Sequence, residues 1–102
     1  MKLREIAHSR TGDKGDISNI SVIAYDIEHY EMIKQQVTAN RVKEWFGEIV
    51  QGEVVRYEIP SLGAMNFVLY KALSGGVTKS LAIDTHGKSL SSKLLGMDIS
   101  VD

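Results

Sequence analysis

From Lys2 to His8, charged and apolar residues alternate, with Leu3 in register with Ala7 and Ile6 with His8. This spacing predicts a half-buried strand. Ile20-Ser21-Val22-Ile23-Ala24-Tyr25 is a short run rich in β-branched residues and predicts a second, more central strand. The polar, glycine-containing stretch from Arg10 to Asn19 reads as the loop between them. That loop is too short for a crossover helix, so the two strands are expected to be antiparallel neighbours.

At Asp26 the period changes. Asp26 is placed to cap a helix whose face carries Tyr30, Ile33 and Val37, with Tyr25 and Tyr30 at staple positions. Thr38 repeats the arrangement with Val37 and Val42, and Val42, Trp45, Phe46 and Ile49 form the next apolar stripe. Two helices with a break near Thr38 follow. Gly52 closes the region, and Glu53 to Ile59 alternates, with Val55, Tyr57 and Ile59 on one face and Val54, Arg56 and Glu58 on the other. This predicts a third strand, ended by Pro60.

Met65, Val68, Leu69 and Ala72 recur at helical spacing before Gly75-Gly76, which predicts a helix with a glycine stop. Leu81 and Ile83 predict a fourth strand, with a turn at Thr85 to Lys88. Leu90, Leu94 and Leu95 predict a short helix before Gly96, and Met97 to Val101 a terminal strand. Strands interspersed with amphipathic helices define an α+β two-layer sandwich. Its sheet has four or more mostly antiparallel strands, with helices on one face. If the uncovered face carries residues of the Val54 or Tyr57 type, it needs a cover, and a second copy or a larger partner would supply one.

Length and composition narrow the picture. The chain of 102 residues is one domain, residues 1–102, large enough for a core of its own, and its 43% hydrophobic and 25% charged residues are those of an ordinary globular protein. A formal charge of -1 argues against a broad basic surface, so nucleic acid is not expected as a partner. With no cysteine there is neither a disulfide nor a thiolate nucleophile, which fits a reducing compartment. The start Met-Lys-Leu-Arg-Glu lacks the apolar run of a signal peptide, and no stretch approaches a membrane span. No membrane partner is therefore expected, and the expected location is the cytoplasm.

The stretch Arg10-Thr11-Gly12-Asp13-Lys14-Gly15-Asp16-Ile17-Ser18-Asn19 concentrates the candidate chemistry. Gly12 and Gly15 permit positive backbone dihedrals, and successive amides in such a turn converge on an anion. Arg10 offers a bidentate fork and Lys14 a point charge, which makes a carboxylate or phosphate site with Ser18 and Asn19 beside it. A second reading uses the same residues structurally, with Asp13 and Asp16 capping amides and the glycines shaping a tight connection. A third gives Asp13, Asp16 and Asn19 to a hard cation, although the order of a calcium loop is absent and no metal is assigned.

His8, His29 and His86 are too far apart for a paired metal motif. His8 borders the loop and is the candidate acid or base; Asp13 is the second candidate proton carrier. Asn66 is a further candidate for ligand contact. Gly75 to Ser80 lacks the order of a phosphate loop.

The run Arg10 to Asp16, Ser18-Asn19, and the later Leu62, Ala64, Asn66-Phe67-Val68-Leu69, Gly75-Gly76, Thr78, Ser80-Leu81, Asp84 and Gly87-Lys88 resemble the small C-terminal domain of the acyclic terpene utilisation protein A (AtuA)-like family. The resemblance spans nearly the whole chain. It implies a ferredoxin-like α+β fold and a much larger companion linked to the breakdown of citronellol- and geraniol-type terpenes. "Ferredoxin-like" denotes topology only, since a chain without cysteine holds no four-cysteine cluster, and no cofactor is expected.

Two functions follow as expectations. The first is an accessory module that docks on the larger protein and completes a carboxylate or acyl-thioester site, itself expected to be a homo-oligomer. The alternative is a small enzyme acting on a carboxylated or acyl-thioester intermediate, with Arg10 and Lys14 holding the anion, His8 or Asp13 moving a proton and Asn66 orienting a carbonyl.

Overall fold

The computed structural model describes residues 1–14, 17–72 and 89–100. Four antiparallel strands, β1 (Ala7–Lys14), β2 (Ile17–Ala24), β3 (Val54–Ile59) and β4 (Ala64–Tyr70), form one sheet in the order β1-β2-β4-β3. Helices α1 (Tyr30–Gln36), α2 (Ala39–Phe46) and α3 (Ser89–Leu94) pack on it, contacting β2, β3 and β1 respectively. This is the expected ferredoxin-like α+β arrangement.

Period-2 burial fixes the two faces. Ile20 and Val22 of β2, Met65, Phe67 and Leu69 of β4, and Val54 of β3 turn toward the helices and are buried. They meet Tyr30, Ile33, Val37, Val42 and Phe46 from the helical layer, together with Leu90, Leu94, Met97 and Ile99. Burying each of the larger side chains contributes on the order of 1.5–3 kcal/mol, so this layer dominates the stability of the domain.

Both caps form as the sequence predicts. The Asp26 carboxylate accepts from the Glu28 N–H at 2.9 Å, starting a 3-10 turn that leads into α1, and the Thr38 hydroxyl accepts from the Arg41 N–H at 3.1 Å. Val37 and Val42, the predicted staple of α2, are both fully buried. Tyr25 is not a staple; it is 67% exposed and stacks on His8.

Four predicted elements differ. The first strand starts at Ala7 rather than Lys2, because Leu3, Ile6 and Ala7 are all buried at a spacing of three and four, and Leu3–Glu5 winds into a 3-10 turn instead. The Arg10 to Asn19 stretch is mostly ladder, since pairing continues through Gly12↔Asn19 and Asp13↔Ser18 to Lys14↔Ile17. Residues Met65 to Ala72 are not a helix: β4 lies between β2 and β3, so it is buried on its core face and half-covered on the other, and a nearly unbroken apolar run satisfies both periods. The terminal strand reduces to a single bridge, Lys2↔Asp98. Gly75-Gly76, the strand at Leu81 and Ile83 and the turn at Thr85 to Lys88 lie outside the described residues.

Candidate functional site

Strand register decides which candidate side chains share a surface. On the face away from the helices, β1 through β3 contribute the row His8, Ile23, Ala64 and Ile59, then Arg10, Ser21, Asn66 and Tyr57, then Gly12, Asn19, Val68 and Val55. His8, Arg10, Gly12, Asn19 and Asn66, which are scattered in sequence, therefore lie on one open face. No described helix covers it.

The middle row is the polar one. The Arg10 N–H donates to the Ser21 hydroxyl at 3.2 Å, while the Arg10 guanidinium is exposed and has no ion-pair partner among the described residues. Asn66 is half-buried between Ser21 and Tyr57, and Tyr57 is 53% exposed. Beside this row is a shallow depression of about 590 Å³, lined by Ser21, Ile23, Tyr57, Ile59, Leu62 and Asn66. An amide and two hydroxyls thus border an apolar hollow, while the Arg10 cation stands at the end of the same row, next to Ser21, and lines a separate depression with Ser9, Thr11 and Ser91. The row as a whole suits an anionic group with an apolar body. Ser21 and Tyr57 were absent from the sequence-level candidates. Their place follows only from pairing register, which links residues some 10 to 50 positions apart.

The remaining candidates are placed as follows. Ser18 is fully buried and its hydroxyl donates to the Gly12 carbonyl at 3.0 Å, so it braces the hairpin from within. Gly12 does not have a positive φ; a side chain there would meet Asn19 Oδ1 at 3.1 Å, so the glycine allows the Asn19 amide to lie across the strand. His8 stacks on Tyr25, with ring centroids 5.2 Å apart and an interplanar angle of 27°. Asp13 and Lys14 end β1, opposite Ser18 and Ile17. Gly15 lies outside the described residues, as does Asp16. No group of three metal-ligating side chains occurs among the described residues. Nor is any helix among them long and apolar enough to cross a membrane.

An antiparallel sheet with helices on one face and a candidate site on the other defines an α+β domain of ferredoxin-like class. The family model for the AtuA ferredoxin-like domain matches residues 1–100, and the chain belongs to that family. No curated protein and no solved structure matches it significantly.

Proposed function

We propose that the chain is an accessory module that docks on a larger protein of the acyclic terpene utilisation type and completes a site there for a carboxylate or acyl-thioester. The β1–β2 hairpin with its Gly-Asp-Lys-Gly segment is the part it contributes. The observation that carries this reading is the common placement of Arg10, Asn19 and Asn66 on one open face, with the guanidinium unpaired among the described residues. A free guanidinium beside amide and hydroxyl groups binds a planar anion through two parallel N–H donors. An open face also favours a shared site over a self-contained one, because the larger protein supplies the walls that exclude water.

Co-purification with the larger protein, followed by comparison of its activity with and without the small chain, tests docking. Full activity of the small chain alone would overturn the reading in favour of the enzyme alternative. Arg10→Lys tests the fork. It is expected to weaken anion binding about tenfold while leaving stability within about 0.5 kcal/mol, since the side chain is exposed and a lysine cannot make the bidentate contact. A drop in melting temperature with binding intact would instead assign Arg10 a structural role.

A further inference from the structure

The two faces of β3 are reversed with respect to polarity. Val54, Arg56 and Glu58 turn toward the helices, whereas Val55, Tyr57 and Ile59 turn outward. Ile23, Val68 and Tyr70 extend this apolar surface, and Leu62 stands at its edge, 67% exposed. A strand that gives its more apolar side to the open face is built for a covered one.

The open face is complementary to itself. Take a two-fold axis lying along the strands between β2 and β4: it sets β1 of one copy over β3 of the other at the same row, and β2 over β4. Gly12 then faces Val55, small against large. Ser21 faces Asn66, a hydroxyl against an amide. Arg10, the charged side chain of these rows, faces Tyr57 rather than a second Arg10, so no like charges meet. Stacked sheets lie about 10 Å apart and cross at about 30°, which displaces edge positions by a few ångström, within reach of Arg and Tyr side chains. Four strands about 4.8 Å apart and up to eight residues long give a corrugated face on the scale of the roughly 800 Å² that each partner covers in a specific dimer.

We infer that two copies of the chain pack open face to open face about this axis, and that the partner's Tyr57 stacks on Arg10 and orients its guanidinium toward the ligand. A guanidinium lying on an aromatic ring keeps its in-plane N–H donors free, so stacking fixes the fork without consuming it. β1 is an edge of the described sheet, which leaves those donors at the rim of the dimer. The role given to Arg10 rests on the anion-site reading above; the dimer does not. Because the dimer sets Asn66 against Ser21 of the other copy, it leaves the β1–β2 hairpin with Arg10, rather than Asn66, as the part open to the larger protein.

The chain has no cysteine, so single-cysteine variants report the geometry directly. His8 of one copy shares a row with Ile59 of the other, while the two His8 residues lie at opposite edges. A short bismaleimide is expected to link a mixture of His8→Cys and Ile59→Cys and to link neither variant alone. Linkage of His8→Cys to itself, or a monomer by sedimentation of the unmodified chain, overturns the dimer. Tyr57→Leu keeps the apolar bulk and is expected to preserve the dimer while weakening acetate binding about two- to fivefold, followed by NMR on the Arg10 side-chain NH. Unchanged acetate binding overturns the stacking role. If linkage fails while co-purification with the larger protein succeeds, this inference fails and the docking proposal stands; the reverse outcome separates them equally.

Discussion

At the scale of single residues, Arg56 shows how a charged side chain can belong to the core face of a sheet. Its Nη1 donates to the carbonyls of Lys34 and Val37 at 2.6 and 3.0 Å, closing the C-terminal end of α1, and its Nη2 pairs with Glu58 at 3.3 Å. The cation thus satisfies carbonyls that a helix end leaves without partners. Arg56→Met retains the stem but strands those acceptors and is expected to cost about 1.5–3 kcal/mol in urea unfolding. Tyr30 is the opposite case: its buried hydroxyl has no hydrogen-bond partner. Burial, reinforced by Glu58, raises its pKa above 10.0. The unfolded chain therefore ionises at this residue before the native one does, and the contribution present below pH 10.0 is lost as pH rises toward the native value. Tyr30→Phe should remove that component of alkaline destabilisation with no loss of stability at neutral pH, as measured by urea midpoints on both sides of pH 10.0.

Among the elements, β4 carries the sharpest test, because the alternative period assigns different residues to the core. As a strand it buries Phe67 completely and leaves Val68 half-covered on the open face. Phe67→Ala is then expected to cost about 3–5 kcal/mol, whereas Val68→Thr stays within about 1 kcal/mol. A helix with Val68 in its apolar stripe would make the second change the damaging one. The elements best specified by sequence were those with strong local chemistry: the two capped helix starts at Asp26 and Thr38, the alternating β3 and the β-branched β2. Misreadings arose where local signals are degenerate, as in the apolar run of β4 and at Leu3, Ile6 and Ala7, which are buried in a core cluster shared with residues distant in sequence, Met97 and Ile99 among them. The candidate site was legible as a set of residue types around Arg10 to Asn19. Its extension to Ser21 and Tyr57 was not, because no local pattern encodes which strands become neighbours.

On the scale of the whole molecule, the described N-terminal and C-terminal segments are tied together, while no described helix covers the open face. Met1 and Ile99 exchange backbone hydrogen bonds, Leu3 donates to Met97 at 2.9 Å and Arg4 to Leu95 at 3.0 Å. Gln36 binds Ser100 through both its amide atoms, at 2.6 and 2.7 Å, and Lys2 pairs with Asp98 at 2.9 Å. Packing and charge contribute to this closure on different scales. Ile99 is 2% exposed, and Ile99→Ala is expected to cost about 2–5 kcal/mol at any pH because it leaves a cavity under the terminal segment. The Asp98 carboxylate is held below its usual 3.8 first by its hydrogen bond to Lys2 and then by the charge of that lysine. Its contribution is therefore present above pH 3.8 and is lost as pH falls through the native value. Both side chains are substantially exposed, so solvent and salt screen the pair. Asp98→Asn should consequently lower the neutral-pH midpoint only slightly and converge with the unmodified chain at low pH, so that the acid limb flattens by the same small amount, an effect that added salt diminishes. An acid limb identical to that of the unmodified chain would show that the N- and C-terminal segments are held by packing and backbone hydrogen bonds alone.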